Sequence, residues 1–256
     1  MTDYMPGAEP LFIEGTPAGC LILHGFGGGC AWDQKEFARV LHERTGMTVW
    51  LPSITGFGTK PEDLLDVTLD DWLRDAHSGL DRLLETCTKT FIVGHSGGGL
   101  LTLLTASERS EVDGIVTWAA PYGIKNRLFS LLKVISKIPL LKRAVPERHN
   151  SLAPQWLRDK GWVGYEWIPT KIGLIMQDGL SRLKMSLDKV TCPALIIQGT
   201  KDDSVSGDSA KKILDGLASE RKEMHMYDGA PHAIMSHEGY KDDLFSRTIE
   251  FFQSIG

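Results

Sequence analysis

Three short stretches of this chain carry residue types able to do nucleophilic chemistry. The first is Gly94-His95-Ser96-Gly97-Gly98, which follows the apolar run Phe91-Ile92-Val93 and precedes a helix-forming run, Leu100 to Ala106. A serine hydroxyl is a poor nucleophile at neutral pH. It needs a base, and the base needs an orienting carboxylate. The spacing G-x-S-x-G between a strand and a helix predicts a sharp turn with Ser96 at its apex. Such a turn exposes the hydroxyl at the carboxyl end of a sheet. It also brings strand and helix so close that a Cβ at Gly94 or Gly98 would clash. The free N–H groups and the dipole at the helix start favour a developing oxyanion.

The second stretch is Asp202-Asp203, after the strand-like run Ala194-Leu195-Ile196-Ile197-Gln198-Gly199. Asp202 is the candidate acid, and the adjacent Asp203 is its rival. The third is Tyr227-Asp228-Gly229-Ala230-Pro231-His232, which places His232 past a turn after a last strand. His232 is the candidate base and His237 the alternative. His42, His77, His149 and His225 read as surface or supporting residues. His95 is expected to pack or hydrogen-bond beneath the turn, facing away from the nucleophile.

An oxyanion needs two converging donors. One is the N–H of Gly97. The other is assigned to the N–H of Phe26, in the loop His24-Gly25-Phe26-Gly27-Gly28-Gly29 after Leu21-Ile22-Leu23. Missing side chains in that loop let the backbone approach a substrate closely. The loop is not a dinucleotide fingerprint, because the last glycine of G-x-G-x-x-G falls on Cys30. A phosphate-binding G-x-x-x-x-G-K-[ST] is also absent from the sequence.

These residues must be positioned by a framework. Candidate strands are Cys20–Leu23, Thr48–Leu51, Thr90–Val93, Gly114–Trp118, Ala194–Gln198 and Met224–Tyr227. Candidate helices are Asp33–Thr45, Thr68–Thr86, Gly97–Ala106, Asp208–Leu217 and Tyr240–Ser254. The second helix opens with a capping-box-like Thr68-Leu69-Asp70-Asp71. Strands separated by helices imply βαβ units and a mostly parallel sheet, with ligands beyond its carboxyl ends. Residues 121–169 break the alternation. No good strand is apparent there, apolar residues from Leu128 to Ile138 recur at helical spacing, and Trp156, Trp162 and Trp167 follow. The segment is read as a helical cap inserted into a core formed by 1–120 and 170–256.

The bulk numbers fit one large α/β domain carrying an insertion. The 256 residues are 42% hydrophobic, enough for a full core, and the net charge of −5 gives no sign of a nucleic-acid partner. Residues 121–170 hold nine Lys/Arg against three Asp/Glu, so the rest of the chain is strongly acidic. A basic amphipathic cap can lean on an anionic lipid surface, or can simply be a solvated face balancing an acidic core. No apolar stretch reaches about 18 residues, and the amino terminus lacks a basic-then-apolar leader pattern. The four cysteines are widely spaced, with no zinc-type Cys/His cluster, and Cys20 and Cys192 read as small core residues. A reducing cytoplasm and no metal are the expectations.

With these stretches in order, the chain resembles the α/β-hydrolase superfamily over nearly its whole length, and more narrowly bacterial carboxylesterases and monoacylglycerol lipases. The matching segments are Leu23-His24-Gly25-Phe26-Gly27-Gly28, Gly94 to Gly99, Cys192 to Ile197 with Asp202, and His232 with Glu238. Leu51-Pro52 and Gly56-Phe57-Gly58-Thr59 complete the match. The resemblance implies an α/β-hydrolase fold, a capped acyl pocket, and neither metal nor organic cofactor. It implies a Ser96–His232–Asp202 triad cleaving carboxylic esters with medium or long acyl chains. Two segments depart from the family. Gly97 stands where methionine or leucine is usual, which predicts a looser turn and a smaller pocket floor. Gly56-Phe57-Gly58 stands where the family has glycine-histidine-glycine. Haloalkane dehalogenases and epoxide hydrolases are excluded, since they carry aspartate at the position of Ser96. Hydrolysis of amides, thioesters or carbon–carbon bonds, and slow-turnover ligand binding, remain as alternatives.

Overall fold

The computed structural model describes residues 2–125, 147–151 and 153–255. Its frame is a seven-stranded sheet with helices on both faces. In chain order the elements are β1 (Leu11–Ile13), β2 (Thr16–Leu23), α1 (Lys35–Thr45), β3 (Met47–Leu51), α2 (Leu69–Leu84), β4 (Lys89–His95), α3 (Gly97–Glu108) and β5 (Gly114–Trp118). There follow β6 (Arg148–Asn150), α4 (Gln155–Arg158), β7 (Trp167–Pro169), α5 (Lys171–Lys184), β8 (Ala194–Gly199), α6 (Ser209–Gly216), β9 (Lys222–Tyr227) and α7 (Lys241–Gln253). The sheet order is β1-β3-β2-β4-β5-β8-β9, and every pairing except β1 with β3 is parallel. This is the α/β-hydrolase architecture that the alternation of strand and helix patterns implies.

The central strands are buried on both faces, as parallel strands are. Along β2 the side chains alternate between two cores: Leu21 and Leu23 join one layer, Cys20 and Ile22 the other. The first layer contains α2, α3 and α5 residues such as Trp72, Leu100 and Ile172. The second contains α1 and α7 residues such as Phe37 and Phe245. Helix α3 is apolar on every side and buried from Gly97 to Ala106, so it serves as the interior post behind β4. Helix α2 begins with a true capping box. Thr68 Oγ1 accepts from Asp71 N–H at 3.2 Å, and Asp71 Oδ2 accepts from Thr68 N–H at 2.9 Å. Helix α1 stops at Gly46, whose φ of 71° a residue with a Cβ adopts only at a cost.

The segment 121–169, in which no strand is expected, contains two short ones among its described residues. Its described part pairs β6 with β7 as a two-stranded antiparallel sheet, beside the one-turn helix α4. The apolar residues between Leu128 and Ile138 lie outside the described residues. The three tryptophans are half-buried: Trp156 and Trp162 line a cavity, and Trp167 lies under Arg148, whose guanidinium carbon is 5.3 Å from the ring centroid. The basic face shows the same tendency. Lys125 donates to the Asp202 carbonyl, Arg158 covers Trp162, and Lys160 pairs with Glu238 at 2.8 Å.

Candidate active site

Strand β4 delivers Ser96 into a strained turn. Its φ is 53° and ψ −117°, and its N–H is fixed to the Trp118 carbonyl at 2.8 Å. The two glycines of the motif meet the collision expected of them. A Cβ on Gly94 would sit 2.2 Å from the Gly98 carbonyl oxygen, and one on Gly98 would sit 2.0 Å from that of Leu23. The strain is held because the strand, the helix and the loop after β2 are locked together at these atoms.

Three side chains then form one hydrogen-bonded line. Ser96 Oγ donates to His232 Nε2 at 2.9 Å, and His232 Nδ1 donates to Asp202 Oδ2 at 2.8 Å. The carboxylate and hydroxyl fix the ring tautomer, with the proton on Nδ1 and the lone pair on Nε2 facing serine. Asp202 is 1% exposed, and its Oδ1 accepts the N–H groups of Ser204 and Val205, both at 2.9 Å. Burial alone would raise its pKa. The His232 ring and those two N–H groups outweigh burial and hold the carboxyl below its ordinary value. Asp203 is exposed and, among the described residues, accepts only from the Ser204 hydroxyl, at 3.1 Å. His237 packs on Trp156 and Tyr240.

The other histidines are placed as follows. His95 is buried behind the turn and donates Nε2–H to the His232 carbonyl at 3.1 Å. His24 donates Nδ1–H to the Gly25 carbonyl at 2.9 Å and accepts the Ile54 N–H at 3.0 Å, pinning the loop after β2 to the loop after β3. His42 bonds the Met47 carbonyl, His77 faces Glu108, and His225 stacks edge-on to Tyr227. His149 is half-buried, bonds the Asn150 carbonyl through Nδ1 and lines the same cavity as Ser96.

The two backbone donors assigned from sequence lie next to the serine. Gly97 opens α3, so its N–H has no acceptor in the preceding turn. The Phe26 loop abuts the turn, since a Cβ on the neighbouring Gly25 would lie 3.3 Å from Ser96 Cβ. The space left by the missing side chain of Gly97 is occupied. The Phe26 ring fills the space, and a Cβ on Gly97 would come within 2.2 Å of it. That ring in turn stacks on Phe57 at 5.6 Å and leans on Trp72 at 4.2 Å. The Gly56-Phe57-Gly58 departure thus supplies an aromatic buttress for the candidate oxyanion loop.

Buried titratable groups make stability depend on pH. Burial depresses His24 to about 4 and His95 to about 3, and raises Asp33 to about 7. An unfolded histidine takes its proton near pH 6.5, whereas these two do not. Each therefore removes about 1.4 kcal/mol of stability per pH unit as pH falls from 6.5 to 4. Asp33 acts with the opposite sign, because the folded carboxyl takes up its proton near pH 7 and the unfolded one near 4. From these three groups the expected loss in that window is about 1.4 kcal/mol per pH unit, rising to about 2.8 in Asp33→Asn. Urea unfolding at pH 7, 6 and 5 checks this, and equal slopes in the two proteins would refute it.

Among the described residues no cluster of His, Cys, Asp or Glu could hold a metal, and no helix is long and apolar enough to cross a membrane. The family described as serine aminopeptidase S33 matches residues 16–239. A thermostable monoacylglycerol lipase of Bacillus sp. (strain H-257) is 29% identical over 97% of this chain and 95% of its own length. A carboxylesterase of Bacillus subtilis (strain 168) is 25% identical, covering 96% and 97%. A structure from the work on LipS and LipT, two metagenome-derived lipolytic enzymes, superposes with a TM-score of 0.88 at 27% identity, covering 98% of this chain and all of the other. The strained serine turn, the sheet beneath it and a family match over most of the length agree: the chain belongs to the serine aminopeptidase S33 family and is an α/β hydrolase.

Proposed function

We propose that the protein hydrolyses carboxylic esters with medium or long acyl chains, monoacylglycerol-like lipids among them, through an acyl-enzyme on Ser96. The observation that carries this reading is the Ser96–His232–Asp202 hydrogen-bonded line opening into a largely apolar cavity. The relatives named as lipases and carboxylesterases support it. Ser96 Oγ attacks the ester carbonyl as its proton passes to His232 Nε2, and Asp202 steadies the imidazolium. The tetrahedral oxyanion faces the N–H groups of Phe26 and Gly97, each such donor worth about 3–4 kcal/mol in well-measured enzymes. His232 gives its proton to the departing alcohol. It then takes one from water, which attacks the acyl carbonyl and releases the acid with Ser96 restored.

In this reading the segment 121–169 is the cap. Trp156, Leu157, Trp162 and Ile168 supply its cavity wall, and each buried methylene of substrate gains about 0.8 kcal/mol. Hydrolysis of p-nitrophenyl esters from acetyl to palmitoyl, by wild type and Ser96→Ala in parallel, tests the proposal. Serine-dependent kcat/KM is expected to rise at least tenfold from acetyl to octanoyl. Activity confined to acetyl esters would remove the lipid part of the proposal, and serine-independent activity would remove all of it.

A further inference from the structure

We infer that Tyr165, in the inserted segment, is a positioning residue for turnover: it holds the turn behind Phe26, and so keeps the Phe26 N–H where the oxyanion forms. The inference rests on the ester-hydrolase reading above. It gives the cap a part in the chemical step, beyond walling the cavity.

The loop that carries Phe26 has little of its own to keep it in place. Gly27, Gly28 and Gly29 bring no side chains that could anchor it. A donor to an oxyanion works best when it is already in place, because its advantage lies in needing no reorganisation. The fixing contacts must come from outside the loop, and the cap supplies two of them directly. Strands β6 and β7 pair, and the ladder continues for one bond from the Ser151 N–H to the Glu166 carbonyl, at 2.8 Å. Ser151 and Tyr165 therefore leave the same end of the ladder. Ser151 Oγ donates to the Gly27 carbonyl at 3.0 Å, and the Tyr165 N–H donates to that of Gly28 at 2.8 Å. The approach is close, since a Cβ on Gly28 would lie 2.6 Å from Ser151 Oγ.

The Tyr165 side chain grips from behind. It is 2% exposed, and its hydroxyl donates to the Gly56 carbonyl at 2.8 Å while accepting the Thr59 N–H at 2.9 Å. Burial raises the pKa of this hydroxyl, so it keeps its proton and stays a donor. The two backbone groups that it joins flank Phe57. Three rings then stack in series. Tyr165 lies on Phe57 with centroids 6.3 Å apart and planes 12° apart, and Phe57 lies on Phe26 at 5.6 Å and 16°. The Phe26 ring in turn covers Gly97, the residue of the second donor. Without the hydroxyl, the Gly56 carbonyl and the Thr59 N–H lose their partner and the turn relaxes. Phe57 shifts with it, and Phe26 follows. A misplacement of about 1 Å at a reacting centre can cost about 10²-fold in rate. His24 still ties the near end of the loop to Ile54, so part of the placement survives and the expected cost is about tenfold.

The test compares wild type, Tyr165→Phe and Ser151→Ala on p-nitrophenyl acetate and octanoate. Labelling to completion with a fluorophosphonate counts competent serines, so that kcat is expressed per folded site. The same proteins are titrated with 1,1,1-trifluorodecan-2-one and with decan-2-one. Ser96 Oγ adds to the trifluoroketone carbonyl as its proton passes to His232, leaving a hemiketal oxyanion, whereas decan-2-one binds as the plain ketone. Tyr165→Phe is expected to lower kcat about tenfold on both esters, with KM within about threefold. It should weaken the trifluoroketone about tenfold and decan-2-one by less than about twofold. Ser151→Ala should show the same pattern at about threefold in kcat. Unchanged kcat in both variants, a loss confined to KM or to the number of labelled sites, or equal weakening of the two ketones overturns the inference and leaves the hydrolase reading intact. If Tyr165→Phe yields no labelled sites, Ser151→Ala decides: a wild-type kcat or a wild-type trifluoroketone affinity there overturns the inference. A wild type that cleaves neither ester and takes up no fluorophosphonate removes both readings together.

Discussion

Replacing Ser96 with alanine should lower kcat on octanoyl esters by about 10⁴-fold or more, with the folded state kept. The substitution removes one atom. The Cβ and its φ of 53° remain, so the strain in the turn is unchanged and so are the contacts that hold it. What disappears is the oxygen bonded to His232 Nε2. The same line makes unequal demands on the adjacent aspartates. Asp202→Asn should cost about 10⁴ in kcat, because an amide oxygen and an amide nitrogen cannot both satisfy the partners that now share the carboxylate. In the native arrangement Oδ1 accepts two N–H groups and Oδ2 accepts the ring proton. If the amide turns its NH₂ toward His232, the ring is driven to the wrong tautomer. Asp203→Asn should change kcat by less than threefold, since that side chain is exposed and bonds the Ser204 hydroxyl rather than His232. Parallel kcat measurements on the three variants, with circular dichroism to verify folding, check the set. Comparable losses at Asp202 and Asp203 would exclude the proposed acid.

What could be read from the sequence follows how local each constraint is. The serine turn was legible because strand, turn and helix all announce themselves within a dozen residues, and the two flanking glycines have a steric reason to be there. The capping box at Thr68 was legible for the same reason. Asp202 and Asp203 could not be separated, because neighbouring residues in a loop differ only in which way each side chain turns. The turn closed by the N–H groups of Ser204 and Val205 points the Asp202 side chain at His232, and that geometry has no composition signature. Strand β1 is a three-residue antiparallel edge, too short to show a period. Helix α5 is absent from the expected elements although Ile172, Ile175, Leu180 and Leu183 recur on one face, a periodic signal that the sequence does contain. Asp33 reads in sequence as an ordinary acidic residue at a helix start. Its place on the cavity wall comes from a 3-10 turn ahead of α1, and only tertiary packing reveals it.

Gly98→Ala is expected to destabilise the fold by more than about 3 kcal/mol, lowering Tm by roughly 6–12 °C for a domain of this size. The magnitude follows from what the new methyl meets. Its carbon would lie 2.0 Å from the Leu23 carbonyl oxygen, 2.5 Å from the Leu23 carbonyl carbon and 2.6 Å from the His24 carbonyl oxygen. All three are backbone atoms, so no side-chain rotation can relieve the overlap. Leu23 is held in register opposite Gly94 of β4, and His24 is tied to Gly25 and Ile54. Movement must therefore come from α3 sliding off the sheet or from the Phe26 loop lifting away from Ser96. Either motion shifts an N–H assigned to the oxyanion, so surviving enzyme should also lose about tenfold or more in kcat. Gly207→Ala provides the contrast. Among the described residues nothing lies within 4 Å of a Cβ there, and its backbone is outside the left-handed region. That change should be neutral or stabilise by about 0.4–1 kcal/mol, through the smaller entropy of the unfolded chain. Thermal unfolding of the two variants measures the difference directly. A Gly98→Ala protein that melts with wild type would mean the close approach of strand, helix and loop is not what holds the serine turn in place.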